Sequence, residues 1–195
     1  MNKFFDNNQF IINQKVNFLK MANQYEVFDN SGQQIGLIKQ RLSGGGVILR
    51  LLLNKAMLPF TLEIVDINEQ VQATISRGFT FFMSKITVVI PDGTPPFYIK
   101  QKFKFLRSQF TIFDIHNTRI GEINGDWKAW NFSITDANGN EIGRINKQWA
   151  GALKEFFTAA DKYLVTFDKP DMEYHKKVAI VSAAITIDMV MKEKK

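Results

Sequence analysis

The chain has 195 residues, of which 45% are hydrophobic and 23% charged, and its formal net charge at pH 7 is +6. This composition predicts an ordinary globular protein, and we expect residues 1–195 to form a single domain around one core. Cysteine is absent, which excludes disulfides, thiolate zinc sites, a cysteine nucleophile and S-palmitoylation. The positive charge permits attraction to nucleic acid or to an anionic membrane leaflet. No apolar leader segment opens the sequence, so we expect a cytoplasmic protein.

Residues 4–165 consist of short alternating segments separated by turn residues, the pattern of an all-β protein. Three segments repeat one unit, in which alternating apolar residues end on an aspartate and Ile-Gly-x-Ile begins six residues later. These aspartates are Asp29, Asp114 and Asp136. An aspartate opens a turn by accepting hydrogen bonds from nearby backbone amides. Each unit therefore predicts a β-hairpin, and looser relatives end on Asp66 and Asp92.

The hairpins predict a closed barrel. Five hairpins supply about ten strands, and segments 9–16 and 50–53 add to them. Successive hairpins imply antiparallel neighbours, and closure removes the free edges. A barrel of about twelve strands has a wider lumen than its own side chains fill. After the last clear hairpin, the spacing predicts a short amphipathic helix over 148–161 and a further strand at 163–167.

The longest apolar run lies at 178–191, and its apolar residues would face every direction of a helix. Such a helix is buried on all sides. At about 1.5 Å per residue it reaches about 21 Å, which is short of the roughly 30 Å hydrocarbon core of a bilayer. Asp188 would cost roughly 2.5–3.5 kcal/mol in mid-membrane. We therefore predict that a helix at about 174–191 fills the barrel lumen. Asp188 then either has an arginine, a lysine or a backbone amide as partner, or marks the point where the helix re-emerges into solvent.

Three stretches carry a resemblance to a known family. F-I-I-N-Q-K-V at 10–16 is similar to that family's opening strand, and Y-E-V at 25–27 with G-Q at 32–33 is similar to its Lys-Tyr-Glu-Ile…Gly-Gln hairpin. The block at 138–163, with I-G-R-I-N-K-Q-W-A-G and E-F-F-T-A-A-D, is similar to its I-G-x-I-x-K-Q-W-x-G and E-x-F-T-D-A-D. The sequence thus resembles the phospholipid scramblases, within the superfamily of LURP-one-related and tubby C-terminal domains. The resemblance implies a mainly β fold, a closed antiparallel barrel of about twelve strands that encloses a C-terminal hydrophobic helix.

The resemblance also raises the question of calcium. The family's calcium loop would start at the segment aligned with 159–161, but Ala159 replaces the first acidic ligand and Pro170 stands where an EF-hand has its last carboxylate. Asp161, Asp168 and Asp171 remain as candidate ligands. The pattern favours the alternative that these aspartates cap turns, so we expect no cofactor. The proline-rich arm and palmitoylated cysteines of the animal proteins are also missing.

Catalytic motifs are absent from the sequence. It has two histidines, His116 and His175, and no G-x-S-x-G, H-E-x-x-H or paired-carboxylate motif. Without thiols, two histidines give little basis for a transition-metal site. We therefore expect that the protein is not an enzyme.

The most suggestive surface is a row of lysines. On a strand, Lys100, Lys102 and Lys104 share one face, about 7 Å from each to the next, and Arg107 extends the row. Three ammonium groups on a rigid wall suit an anionic headgroup. The plainer interpretation, which the pattern favours, is that these lysines solvate the outer face and discourage edge pairing. Nucleic acid is a poorer partner, because only Tyr98 offers an aromatic ring for stacking there.

Together these features predict a scramblase-like, non-enzymatic barrel that binds anionic phospholipid headgroups peripherally at a membrane. Lipid scrambling is a further activity of the family, but a helix sealed in a barrel offers no evident groove across a bilayer. The alternative is a soluble intracellular barrel that binds a ligand or a protein partner and has no membrane role. The sequence does not identify such a partner.

Overall fold

The computed structural model describes residues 4–15, 24–41, 58–79, 85–104, 107–126, 128–147, 162–169 and 171–192, without the side chains at 15, 102–104, 107–108 and 191–192. Within these residues lie a 3₁₀ turn at Phe4–Asp6, twelve strands and one helix, α1, at Tyr174–Lys192. The strands are β1 Gln9–Lys15, β2 Gln24–Phe28, β3 Gln34–Arg41, β4 Phe60–Asp66, β5 Val71–Arg77, β6 Lys85–Val89, β7 Phe97–Lys104, β8 Arg107–Phe113, β9 Arg119–Asp126, β10 Asn131–Asp136, β11 Glu141–Asn146 and β12 Lys162–Phe167. The predicted strand at 50–53 and the predicted helix at 148–161 lie outside the described residues.

The twelve strands form a closed barrel in which every strand pairs antiparallel with its neighbours in the sequence. β1 closes the barrel on β12, with Phe10 opposite Val165 and Ile12 opposite Tyr163. Closure leaves no strand of the barrel with an unpaired edge. The predicted closed antiparallel barrel of about twelve strands around a C-terminal helix is confirmed.

Four hairpins share one turn, in which the aspartate that ends the first strand accepts hydrogen bonds through Oδ1 from the amides two and four residues later, at 2.8–3.0 Å. The aspartates are Asp29, Asp66, Asp114 and Asp136. The residue three positions on has a positive φ, which suits glycine or asparagine. These residues are Gly32, Glu69, Asn117 and Gly139. With the β6–β7 turn, these turns lie at one end of the barrel, which we call the turn end.

Helix α1 runs through the lumen. All residues from Lys177 to Val190 are buried, so the helix has no solvent-facing side over this length. Apolar side chains from the inner faces of the strands surround it in one continuous cluster. Among the described residues, no helix combines the length and the apolar content needed to cross a membrane.

The buried carboxylate of Asp188 has a partner that the sequence did not indicate. The Tyr25 hydroxyl of β2 donates a hydrogen bond to its Oδ2 at 2.9 Å. Tyr163 of β12 is also close, and burial, followed by the charge of Asp188, raises the pKa of its phenol well above the usual value. A tyrosine hydroxyl is thus one partner of this carboxylate, and the predicted arginine, lysine or backbone amide partner stays a prediction.

Aromatic side chains from the N-terminal turn fill one side of the turn end. Phe5 packs edge-on against Tyr174 at the start of α1, with ring centroids 5.7 Å apart. It also lies 5.8 Å from Phe10, which in turn contacts Phe167 at 6.1 Å. The 3₁₀ turn therefore covers the lumen beside β1 and β12.

Candidate functional site

The lysines of β7 lie on the outer wall. Gln101 is buried toward the interior, so the alternation of a strand puts Lys100, Lys102 and Lys104 on the opposite, outer face. The register pairs Lys104 with Arg107 of β8. The backbone thus brings all four predicted positions onto one face, although the side chains of Lys102, Lys104 and Arg107 lie outside the described part of the structure.

A fifth cation, Lys85 of β6, joins this row. It pairs directly with Lys100, and residues opposite each other on one face have Cβ atoms about 4.5–5.5 Å apart. The side chain of Lys85 is exposed, and its Nζ lies 3.8 Å from the centroid of the Tyr98 ring. The sequence did not reveal this residue, because only the register of β6 on β7 brings it to the row. We call these five positions the basic face: Lys85, Lys100, Lys102, Lys104 and Arg107.

The strands that carry the basic face have no acidic residue of their own. The segments that form β6, β7 and β8 contain no aspartate or glutamate. The Nζ of Lys100 lies 4.7 Å from the ring centroid of Phe113 and donates to Asn117 Oδ1 at 3.1 Å. Within the described residues, neither Lys85 nor Lys100 has a carboxylate at ion-pair distance. Their contacts are aromatic rings and an amide, which hold the side chains without neutralising them.

Four described cations elsewhere on the outer wall are different, because they are paired with carboxylates. The pairs are Lys39–Glu69, Arg41–Glu63, Arg119–Glu122 and Arg144–Glu141. Like charges directly opposite each other on a sheet are destabilising. Lys85 and Lys100 lie opposite each other in the sheet, so a bound anion there would relieve the repulsion between their two ammonium groups.

Protection of a free edge does not explain these lysines. β7 is hydrogen-bonded to β6 on one side and to β8 on the other, so its lysines do not guard an exposed edge. Solvation of the outer face remains as the plainer role.

The predicted calcium candidates lie only partly within the described residues. Asp161 lies outside the described residues. Asp168 follows β12, and its amide donates to Ile142 O at 3.0 Å, while Asp171 is exposed just before α1. Within the described ranges, no three histidine or acidic side chains are placed to hold a metal ion. The candidate calcium site and the absence of a cofactor therefore both stay predictions.

His175 connects the start of α1 to the β6–β7 turn. Its Nε2 lies 2.8 Å from Thr94 Oγ1 and 3.1 Å from Asp92 Oδ2, so a hydroxyl and a carboxylate share one ring nitrogen. A hydrolytic triad needs its orienting acid hydrogen-bonded to Nδ1, and here the Glu173 carboxylate is 3.7 Å from Nδ1. The pKa of the Asp92 carboxyl is lowered, and the hydrogen bond from the Thr94 hydroxyl is the largest cause. This arrangement anchors the helix rather than activating a nucleophile.

Comparison with known proteins gives two matches. The Scramblase family model matches residues 2–194, and a search of curated proteins gives no match. The structure is similar to that of a protein from Arabidopsis thaliana, with 9% sequence identity, a TM-score of 0.52, and coverage of 96% of this chain and 92% of that chain. At this identity the structural likeness shows the fold alone.

Proposed function

The chain belongs to the Scramblase family, and from this premise we propose that it binds anionic phospholipid headgroups through the basic face. Family membership supports a lipid-related role. The proposed role is peripheral binding at a membrane surface, and it is a binding role rather than a catalytic one.

The observation that carries the proposal is the unneutralised pair formed by Lys85 and Lys100. Each cation near an anionic membrane contributes about 1 kcal/mol of attraction. The five positions of the basic face could therefore supply about 5 kcal/mol, enough for reversible but not permanent attachment. The four paired cations elsewhere on the wall contribute less, since their own carboxylates oppose the membrane charge.

An apolar side chain lies beside this face. Ile115 in the β8–β9 turn is 42% exposed, and Asn117 of the same turn accepts the hydrogen bond from Lys100. A cation beside an exposed apolar side chain suits the interface between headgroups and acyl chains. Ile115 therefore supports a membrane surface as the anionic partner.

Liposome co-sedimentation tests the proposal. The protein should sediment with phosphatidylserine-containing vesicles and not with pure phosphatidylcholine vesicles, and added salt should release it because salt screens exposed charges. Replacing Lys100, Lys102 and Lys104 together by glutamine should weaken binding about a hundredfold, from about 1 kcal/mol per charge. Vesicle binding that is insensitive to salt, or unchanged in this triple variant, would remove the basic face as the site.

Translocation of lipid is not part of the proposal. α1 is buried from Lys177 to Val190, so the described barrel presents no polar groove on that helix for a headgroup to follow. A fluorescent-lipid flip assay in proteoliposomes should accordingly show no acceleration over empty vesicles. Rapid flipping that depends on the protein would show that it also scrambles lipid.

The alternative function is a ligand-binding or partner-binding barrel with no membrane role. That alternative predicts that the protein binds neither the phosphatidylserine-containing vesicles nor the pure phosphatidylcholine vesicles. The cytoplasmic location expected from the sequence stays a prediction under either function.

A further inference from the structure

A cavity of about 270 Å³ opens at the turn end, between the β8–β9 turn, the β10–β11 turn and the first turns of α1. The position follows from the packing. A twelve-stranded barrel is wider than one helix requires, and the side chains of Phe4 and Phe5 cover the opposite part of the opening. Phe5 contacts Phe10 of β1, and a Cβ on Gly36 of β3 would lie 2.7 Å from the Phe4 ring. The lumen is thus left open beside β9 to β11.

The floor of the cavity is apolar and buried. It is formed by Ile112, Ile142, Ala179 and Ile180, all of which are buried. These side chains come from two different strands and from the helix, so barrel and helix together fix the shape. Most ligand pockets are apolar in this way and carry a few polar groups that orient the ligand.

Two cations stand at the rim. Arg119 and Lys176 line the cavity, and their side chains are 45% and 49% exposed. Arg119 Nη2 donates to the Ala137 carbonyl, and Nη1 is 3.7 Å from Glu122. Lys176 Nζ is 3.3 Å from Glu173. A guanidinium has five N–H donors and an ammonium has three, so both retain donors for a ligand.

The acidic groups at the rim are occupied by their own turns. Asp114 accepts hydrogen bonds from two backbone amides of its turn, and Asp136 accepts from two amides and the Asn140 side chain. These hydrogen bonds lower the pKa of both carboxyls. The largest effect comes from the Thr118 amide for Asp114 and from the Asn140 side chain for Asp136. The cavity therefore offers free donors and few free acceptors.

We propose that this cavity binds a single-chain amphiphile, with its apolar chain on the isoleucine floor and a phosphate or carboxylate head bonded to Arg119 and Lys176. Bidentate bonds from the guanidinium suit such a head. The cavity is separate from the basic face, because its lining includes none of those five residues. The proposed amphiphile binding is therefore tested independently of the proposed membrane binding.

The test is a titration of the isoleucine-methyl-labelled protein by NMR, without vesicles, using three probes: octyl phosphate, octanol and inorganic phosphate. Octyl phosphate should shift the methyl signals of Ile142 and Ile180 saturably, with a Kd at least tenfold lower than either other probe. Ile64, on β4 six strands away from β10 around the barrel, should not shift. Octanol binding as tightly would show an apolar cavity with no role for the cations, and inorganic phosphate binding as tightly would show an anion site with no role for the floor.

Two variants make the test specific. Arg119→Gln combined with Lys176→Gln should weaken the binding of octyl phosphate about tenfold, because it removes two half-exposed charged contacts. The affinity for octanol should be unchanged. Arg144→Gln combined with Lys39→Gln removes the same number of charges from ion-paired cations away from the cavity. This control should leave the affinity for both probes unchanged. Ala179→Leu should block the floor. An absence of saturable shifts at Ile142 and Ile180, or equal weakening by the two double variants, would overturn the proposal.

Discussion

One residue type, aspartate, holds four of the tight turns in the same way. Each carboxylate accepts two backbone amides, and the backbone three residues later takes a positive φ. Glycine adopts that conformation freely, whereas Glu69 adopts it at a φ of 62°, which costs an L-residue energy. Glu69 is therefore a locally unfavourable residue in an otherwise regular turn.

Replacing Glu69 by glycine should stabilise the protein. The change relieves the left-handed conformation and loses only an exposed ion pair with Lys39, which contributes little in solvent. We expect Tm to rise by about 2–4 °C in thermal unfolding. As the converse, Gly139→Ala at the equivalent position should lower Tm. A fall in Tm for Glu69→Gly would mean that the ion pair outweighs the backbone strain.

Two tyrosines near Asp188 provide a second comparison at this scale. The Tyr25 hydroxyl donates to the buried carboxylate, whereas the Tyr163 hydroxyl is buried with no hydrogen-bond partner in the described part of the chain. Tyr25→Phe should lower the free energy of unfolding by about 1.5–3 kcal/mol, the value of a hydrogen bond to a charged group. Tyr163→Phe should be neutral or stabilising. Equal losses in urea unfolding would show that Tyr163 also bonds to Asp188.

At the scale of elements, the hairpins were predictable and their lateral registers were not. The signal for a hairpin is local, as in the aspartate turn at Asp114 with Ile120 six residues later. The pairing of Lys85 with Lys100 depends instead on how β6 meets β7 across an irregular turn. The candidate row on β7 was therefore found from sequence alternation, whereas its neighbour on β6 required the structure.

The helix was also predictable, because an apolar run without a stripe indicates burial on all sides. Its polar contact was not, since the bond from Tyr25 joins residues 163 positions apart. Ser182 and Ile185 lie one turn apart and are both fully buried. They therefore make a matched pair for testing the enclosed position of α1.

Ile185→Asp should unfold the protein rather than merely detach it from membranes. It would place a new charge in the core, at a cost of several kcal/mol against a typical total stability of about 5–15 kcal/mol. Ser182→Ala should be tolerated, because the Ser182 hydroxyl has no hydrogen-bond partner in the described residues. Circular dichroism and size-exclusion chromatography distinguish the outcomes. A folded Ile185→Asp variant that has lost only its membrane fraction would favour a membrane-inserted helix instead.

At the scale of the whole molecule, closure depends on contacts that no local pattern contains. Phe10 and Val165 pair across nearly the full chain, and the sequence predicts this only through the need to remove free edges. The same closure determines the charge distribution. It places the acid-free strands β6 to β8 side by side, while the cations of β3, β9 and β11 meet carboxylates.

The measurement that tests the central claim most directly compares two variants of equal net charge for binding to phosphatidylserine vesicles. Lys85→Gln with Lys100→Gln removes two unneutralised cations of the basic face, and Lys39→Gln with Arg144→Gln removes two paired ones. We predict that the first variant binds about 25-fold more weakly than the wild type, from about 1 kcal/mol per charge, and that the second changes affinity by less than about threefold. Equal losses in the two variants would show that net charge alone governs binding, and would contradict a dedicated site on β6 to β8.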